Sequence, residues 1–437
     1  KLDKFINLNY FQILMASNAI LIRMILLISL FSIGNIFAAE STEPNFKVAF
    51  IADSGDSTTF EQVLNLIKNE STDLVLHQGD FSYSSSITNW ENKINTILGS
   101  NFPYFMSQGN HDTGQWGDIR NTCNGTVSTY ASFIRCRLSG MDINPVLNNN
   151  VDRYSVVHKG LKIVFLSELN DEVGNSNFIS QELTNDSSIW KICSWHKNQR
   201  AKQVGGKNDQ VGWQTYEECR RQGDIIATGH EHSYARTKTL NNTQAQSVDT
   251  TCQDNPSTND ADVCVSKGST FVFHAGTGGR TLRDQERCCK AGENWCEDTT
   301  PCKDEWAKIY TLDQNPPSIY GALFIEFNVD GTPNKARGYF KNINNTLIDS
   351  FEIENKDGIK KVAKPLIAPN GGIFFNSVSI SISTSTPNAT VYYTTDASEP
   401  TNLSNLYSGE FILIQNATVK SKAFKTGLNE SDMANAT

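Results

Sequence analysis

The sequence predicts an α/β fold followed by a small all-β sandwich, and three observations carry that reading. Apolar, β-branched runs alternate with segments of helical period. Most of those runs end in a short block of residues with metal-ligand or acid–base chemistry. Beyond residue 364 there is no cysteine and the pattern becomes plain two-residue alternation.

In chain order, Lys47-Val-Ala-Phe-Ile51 reads as a strand ending before Asp53-Ser-Gly55. Thr59 to Asn69 reads as a helix, with Phe60, Val63, Leu64 and Ile67 on one face. Leu74-Val-Leu76 is a second strand, leading to Gly79-Asp80-Phe-Ser-Tyr83, and Trp90, Ile94 and Ile97 mark a second helix. Phe105-Met106 leads to Gly109-Asn110-His111-Asp112, Ile192 to Trp195-His196, and Ile225-Ile-Ala227 to Gly229-His230-Glu-His232. This βαβαβ alternation predicts a mostly parallel sheet. Such sheets bind ligands beyond the carboxyl ends of their strands, so blocks distant in sequence converge at one edge.

The blocks supply two carboxylates, a phenol, an amide and three imidazoles, a set that suits two adjacent cations better than one. Like charges so close need an anionic oxygen between them, and Asp80 suits that bridge. His230 and His232 are two apart, so in an extended segment both rings project to one side.

In this order, with Tyr83 three residues after Asp80, the blocks resemble the calcineurin-like metallophosphoesterase superfamily, and within it the purple acid phosphatases. The resemblance spans about Phe46 to Glu354 and implies a four-layer α/β/β/α metallophosphoesterase sandwich. It places Asp53, Asp80, Tyr83 and His232 on a first metal, and Asp80, Asn110, His196 and His230 on a second; with those sets the hard phenolate of Tyr83 favours Fe(III) in the first, and two imidazoles, an amide and a shared carboxylate suit Zn(II), Fe(II) or Mn(II) in the second. It makes His111 a catalytic residue that binds substrate and protonates the leaving group. The implied activity is hydrolysis of phosphomonoesters by a metal-activated hydroxide, bound water falling from a pKa of about 15.7 to about 7. A phosphodiesterase or nucleotide phosphatase is the alternative on the same site. A non-catalytic, surface-binding protein with a structural metal site is the alternative of another class.

The other histidines read more plainly. His158 sits at a strand end before Lys159-Gly160, His77 lies within the strand that delivers Asp80, and His274 precedes the Gly276-Thr-Gly-Gly279 run. That run resembles a loop bordering the purple acid phosphatase cleft. Tyr234 and Arg236 read equally as substrate contacts or as packing and surface residues. Asp112 points away from its neighbour His111 in an extended loop and stays outside the predicted site.

Residues 1–39 read as a signal peptide, through Arg23, the apolar stretch Met24 to Ala39 and the ending Ile-Phe-Ala-Ala39; an uncleaved anchor is the alternative. The chain carries −9 formally and that leader +2, so the remainder is near −11 and is not built to bind nucleic acid. Ten cysteines behind such a leader imply disulfides. Spacing suggests Cys123–Cys136 and Cys252–Cys264. Cys193, where the family has an aliphatic residue, pairs with Cys219 or serves as a thiolate ligand. Ten Asn-X-Ser/Thr sequons fit a secretory route, to the cell surface or outside, with lysosome or vacuole as alternatives.

The predicted organisation is a catalytic domain over 40–354 with a disulfide-rich insertion at about 241–304, a linker at 355–364, and a β-sandwich accessory module over 365–437. The catalytic domain closes with a hairpin of Gly321–Phe327 and Ala336–Phe340. Through Tyr392-Tyr-Thr-Thr-Asp396, Glu399-Pro-Thr401 and Leu406-Tyr-Ser-Gly409, the module resembles the C-terminal domain of chitobiase-type hexosaminidases. Glycan or cell-wall contact is its functional option, a spacer role its plainer one.

Overall fold

The structure is a computed structural model. It describes residues 42–83, 86–118, 127–138, 146–147, 152–166, 170–252, 262–287, 305–314, 316–357, 362–426 and 428–437. The leader, Cys123 with its suggested bridge to Cys136, and the cysteines from 288 to 302 lie outside the described residues.

Two mixed sheets form the larger part. The first runs, edge to edge, Val263–Val265, Leu347–Asn355, Lys335–Asn342, Gly321–Phe327, Phe46–Ile51, Leu74–His77 and Tyr104–Met106. The second runs Trp306–Tyr310, Tyr234–Thr237, Val272–Ala275, Ile225–Thr228, Trp190–Ser194, Leu161–Phe165, Tyr154–His158 and Val146–Leu147. In the first sheet Phe46–Ile51, Leu74–His77 and Tyr104–Met106 are mutually parallel. In the second the parallel set is Leu161–Phe165, Trp190–Ser194, Ile225–Thr228 and Val272–Ala275.

Side-chain alternation explains the layering. Ile225 and Ala227 join the core shared with the first sheet, while Ile226 between them joins a second core with Phe178, Ile179, Tyr216 and Cys219. Those residues belong to the helices Glu172–Leu183 and Trp213–Gln222. Across the sheets, Phe50 meets Phe273 edge to face at 5.1 Å and Trp190 meets Phe327 at 5.2 Å. The helices Thr58–Asn69 and Ile87–Ile97 bury Phe60, Val63, Leu64, Ile67, Trp90 and Ile94 in the same core. Each such side chain, fully buried, contributes about 1.5–3 kcal/mol.

The mostly parallel sheet read from the alternation is the parallel part of two mixed sheets, the pair that the four-layer α/β/β/α sandwich implied by the resemblance requires. Local pattern marks a strand but not the sheet it joins, and the hairpins after Gly321 extend the first sheet antiparallel. The 241–304 segment is also not wholly an insertion. Val272–Ala275 is a central strand of the second sheet, and Val263–Val265 edges the first. The bridges Cys193–Cys219 and Cys252–Cys264 are both formed, which removes Cys193 as a thiolate ligand.

The C-terminal part is all β. One sheet has Leu366–Ala368, Val378–Ser383 and Phe411–Leu413; the other has Asn405–Leu406, Thr390–Thr394, Val419–Phe424 and Ala434–Ala436. It has a core of its own, with Ile367, Ile380, Ile382, Val391 and Val419. The alternating Ile380 and Ile382 are buried as their spacing foretells. Among the described residues no helix is long and apolar enough to cross a membrane.

Candidate metal centre

The predicted donors sit in the loops that follow strand ends. Asp53, Asp80 and Asn110 follow the three parallel strands of the first sheet, and His196 and His230 follow two neighbouring strands of the second. His232 closes the turn into Tyr234–Thr237. Asp53, Asp80, Tyr83 and His230 all have left-handed backbone, with φ of 56°, 56°, 52° and 69°. Non-glycine residues there cost roughly 1–2 kcal/mol each, and such costs gather at functional sites.

The donors meet in two groups. Tyr83 donates its hydroxyl to Asp53 Oδ1 at 2.9 Å, and His232 Nε2 lies 3.3 Å from both oxygens. Asp80 Oδ2 lies 3.3 Å from His196 Nε2, which is 3.1 Å from His230 Nδ1. Asp80, His196 and His230 can direct one ligand atom each to a common point. The groups are tied together by the His230 amide, which donates to Asp53 Oδ2 at 2.9 Å.

Buried backbone sets the orientation of the rings. His196 Nδ1 donates to the Gln78 carbonyl at 2.6 Å and His232 Nδ1 to the Thr281 carbonyl at 2.9 Å, leaving both Nε2 atoms turned inward. Fixing one ring nitrogen in this way is how proteins present the other to a metal. Asn110 Oδ1 is buried without a hydrogen-bond partner, as an amide oxygen reserved for a cation would be.

The electrostatics set buried carboxylates against imidazoles. Burial alone would raise Asp53, but the His232 charge, then His196 and Lys207, bring it far below the usual carboxylate range. Asp80 is likewise pushed up by burial and pulled down by His196, reaching about 2. Burial lowers His196, yet Asp80 and then Asp53 raise it to about 9. Burial and the neighbouring His196 charge hold His230 down to about 2, so that ring is a neutral acceptor. Burial, then Asp53 and Asp80, keep the Tyr83 phenol protonated. A multivalent cation would take over the charge balance that His196 now carries and let the phenol ionise.

His111 stands at the mouth, its side chain 55% exposed, with Nε2 3.9 Å from Asp80 Oδ2 and its ring 4.6 Å from that of Tyr83. Its amide donates to Asp80 Oδ1 at 2.9 Å. Asp112 lies in a turn rather than in an extended loop, and its carboxyl belongs to the framework. Fully buried, Asp112 accepts from the amides of Asp80 and Gly109, each at 2.8 Å, and of Phe81 at 3.0 Å. One carboxylate thus joins the loops that carry Asp80 and Asn110. A buried acid next to the conspicuous Asn110-His111 pair was its only trace in the sequence.

Lys207 was not marked by the sequence. Lys207 donates to the His230 carbonyl and lies 3.8 Å from Glu231. The glycine run borders the site, with the Gly278 amide on the Ala52 carbonyl and the Arg280 amide on that of Asp53. Tyr234 and Arg236 resolve as packing, both bonded to buried Asp349 at 2.6 and 2.9 Å. His77 is caged by Phe81, Trp90 and Tyr104, His158 ends its strand against Phe46 and Phe105, and His274 meets Ser233.

Residues 46–234 match the calcineurin-like phosphoesterase family and residues 369–435 the chitobiase/beta-hexosaminidase C-terminal domain. Among solved structures, a purple acid phosphatase from yellow lupin (Lupinus luteus) seeds is similar at 14% identity and a TM-score of 0.47. The match covers 72% of this chain and 55% of the lupin chain, so this chain spans about half the length of that relative. PhoD is similar at 11% identity and a TM-score of 0.37, covering 69% of this chain and 66% of that one. No curated protein sequence matches significantly. The chain thus carries a calcineurin-like phosphoesterase domain across residues 46–234 and a chitobiase/beta-hexosaminidase C-terminal domain across 369–435.

Proposed function

We propose that this chain is a secreted two-metal phosphatase that hydrolyses phosphomonoesters in the manner of purple acid phosphatases. Asp53, Asp80, Tyr83 and His232 hold the first metal, Fe(III), and Asp80, Asn110, His196 and His230 the second, a zinc, iron or manganese dication. Bound there, the pair supplies Lewis acidity that makes water a nucleophile at ordinary pH and offsets charge on the phosphoryl oxygens.

The residues of the chain do the rest. The two carboxylates and the Tyr83 oxygen match the charge of the ions, while the Gln78 and Thr281 carbonyls keep the imidazoles in register. His111, exposed at the mouth beside Asp80, gives the departing alkoxide its proton. Asp112 holds the Asp80 and Asn110 loops at a fixed separation. Disulfides at Cys193–Cys219 and Cys252–Cys264 fit an oxidising compartment.

The observation that carries this reading is the meeting of two donor groups from two sheets, with Asp80 beside His111 at the open end. Its test is metal analysis and visible absorption of the purified protein, with phosphate release from a chromogenic phosphomonoester at acid pH. A tyrosinate-to-iron band and turnover are expected, with Asp80→Ala and His230→Ala each losing at least about a thousandfold. Turnover that survives Asp80→Ala, or none from the metal-loaded wild type, would overturn it.

A further inference from the structure

Arg280 is exposed, and its guanidinium lies over the Tyr83 ring with Cζ 4.3 Å from the centroid. Its amide donates to the Asp53 carbonyl at 2.9 Å, so its backbone is fixed to a residue of the metal centre. Gly55, in the first sequence block, makes room for it, since a Cβ there would approach Arg280 Cδ to 3.2 Å. Among the described residues this guanidinium has no carboxylate partner, whereas Arg153 and Arg236 are paired with Asp171 and Asp349. An arginine anchored beside the donor cluster, with no ion-pair partner among the described residues, is preorganised for an oxyanion. Its planar fork matches phosphate in a bidentate way.

The position narrows the ligand. The metal donors converge on the hydroxyl end of Tyr83, whereas the guanidinium covers the face of its ring. Arg280 is therefore offset from the donor cluster by the Tyr83 ring, a place suited to a second anionic group rather than to the one the donors face. Resting on the phosphatase reading above, we infer that Arg280 receives the second phosphoryl group of a substrate with two linked phosphates. The site accordingly favours the diphosphate class over simple monoesters.

Calorimetric titration of the metal-loaded full chain with inorganic pyrophosphate and with orthophosphate tests this. The wild type is expected to bind pyrophosphate more tightly. Arg280→Ala should reduce the ratio of the two affinities about tenfold, and Arg280→Lys, which keeps the charge without the fork, should fall between. In turnover, KM for a phosphoanhydride should rise in Arg280→Ala relative to KM for a chromogenic monoester, with the effect in KM and not kcat. An unchanged affinity ratio, including equal weakening of both anions as a purely structural role would give, overturns the assignment. A wild type that shows the expected ratio yet hydrolyses no ester removes the phosphatase reading and leaves Arg280 as an anion-binding residue.

Discussion

At the scale of single residues, the centre works against the local preferences of its own chain. His230 sits at a φ of 69°, a conformation glycine adopts freely and alanine does not. His230→Gly and His230→Ala should both be inactive. In thermal unfolding, however, the glycine variant should be the more stable by about 1 kcal/mol, the reverse of the order found in helices. Asp224 offers a second residue-scale test. It is fully buried with Oδ2 3.6 Å from Cys193 Sγ, and burial pushes its carboxyl from 3.8 up to about 8. Because its folded value lies above the unfolded one, its favourable contribution is complete below about pH 3.8 and is lost as pH rises through 8. Asp224→Asn should therefore stabilise by a few kcal/mol near pH 8, with the gain shrinking to nothing by pH 4, as melting across that range would reveal.

At the scale of elements, the site depends on how strand ends and loops approach one another. Gly276 follows the Val272–Ala275 strand, and a Cβ there would come within 2.0 Å of the Glu231 carbonyl oxygen and 2.7 Å of Asp53 Oδ2. Gly276→Ala should displace Asp53 or the loop. Bound metal should drop and turnover fall at least about a hundredfold, while the far-ultraviolet circular dichroism keeps its native shape. This scale also marks what the sequence could tell. Strands such as Ile225–Thr228 were legible because apolar β-branched runs are local signals, and the donors were legible because each block directly follows a strand. Period-two alternation, the same in either sheet, did not assign each strand to its sheet; the two-sheet sandwich came from the family resemblance alone. The Gln78 and Thr281 carbonyls were not legible, being backbone groups that any residue would supply. Asp112 was left outside the predicted site, and its three amide partners are 3, 31 and 32 residues off and meet it only through folding.

At the scale of the whole molecule, the first sheet brings Asp53, Asp80, Tyr83 and Asn110 to the centre, and the second brings His196, His230 and His232. Ions that bind only the folded chain stabilise it by mass action, about 2.7 kcal/mol at a concentration one hundred times the dissociation constant. Chelation should therefore lower the melting temperature by several degrees, and scanning calorimetry at graded metal concentrations should show the shift following the free ion. There is also a kinetic corollary to having the donors come from both sides of one seam. A half-assembled chain, with its two walls still apart, offers no finished cage, so cargo can be taken aboard only after the walls have closed. Metal in the refolding buffer should leave the folding limb of a chevron where it was and lower only the unfolding limb, making the ions a latch on the finished molecule instead of a seed for its assembly.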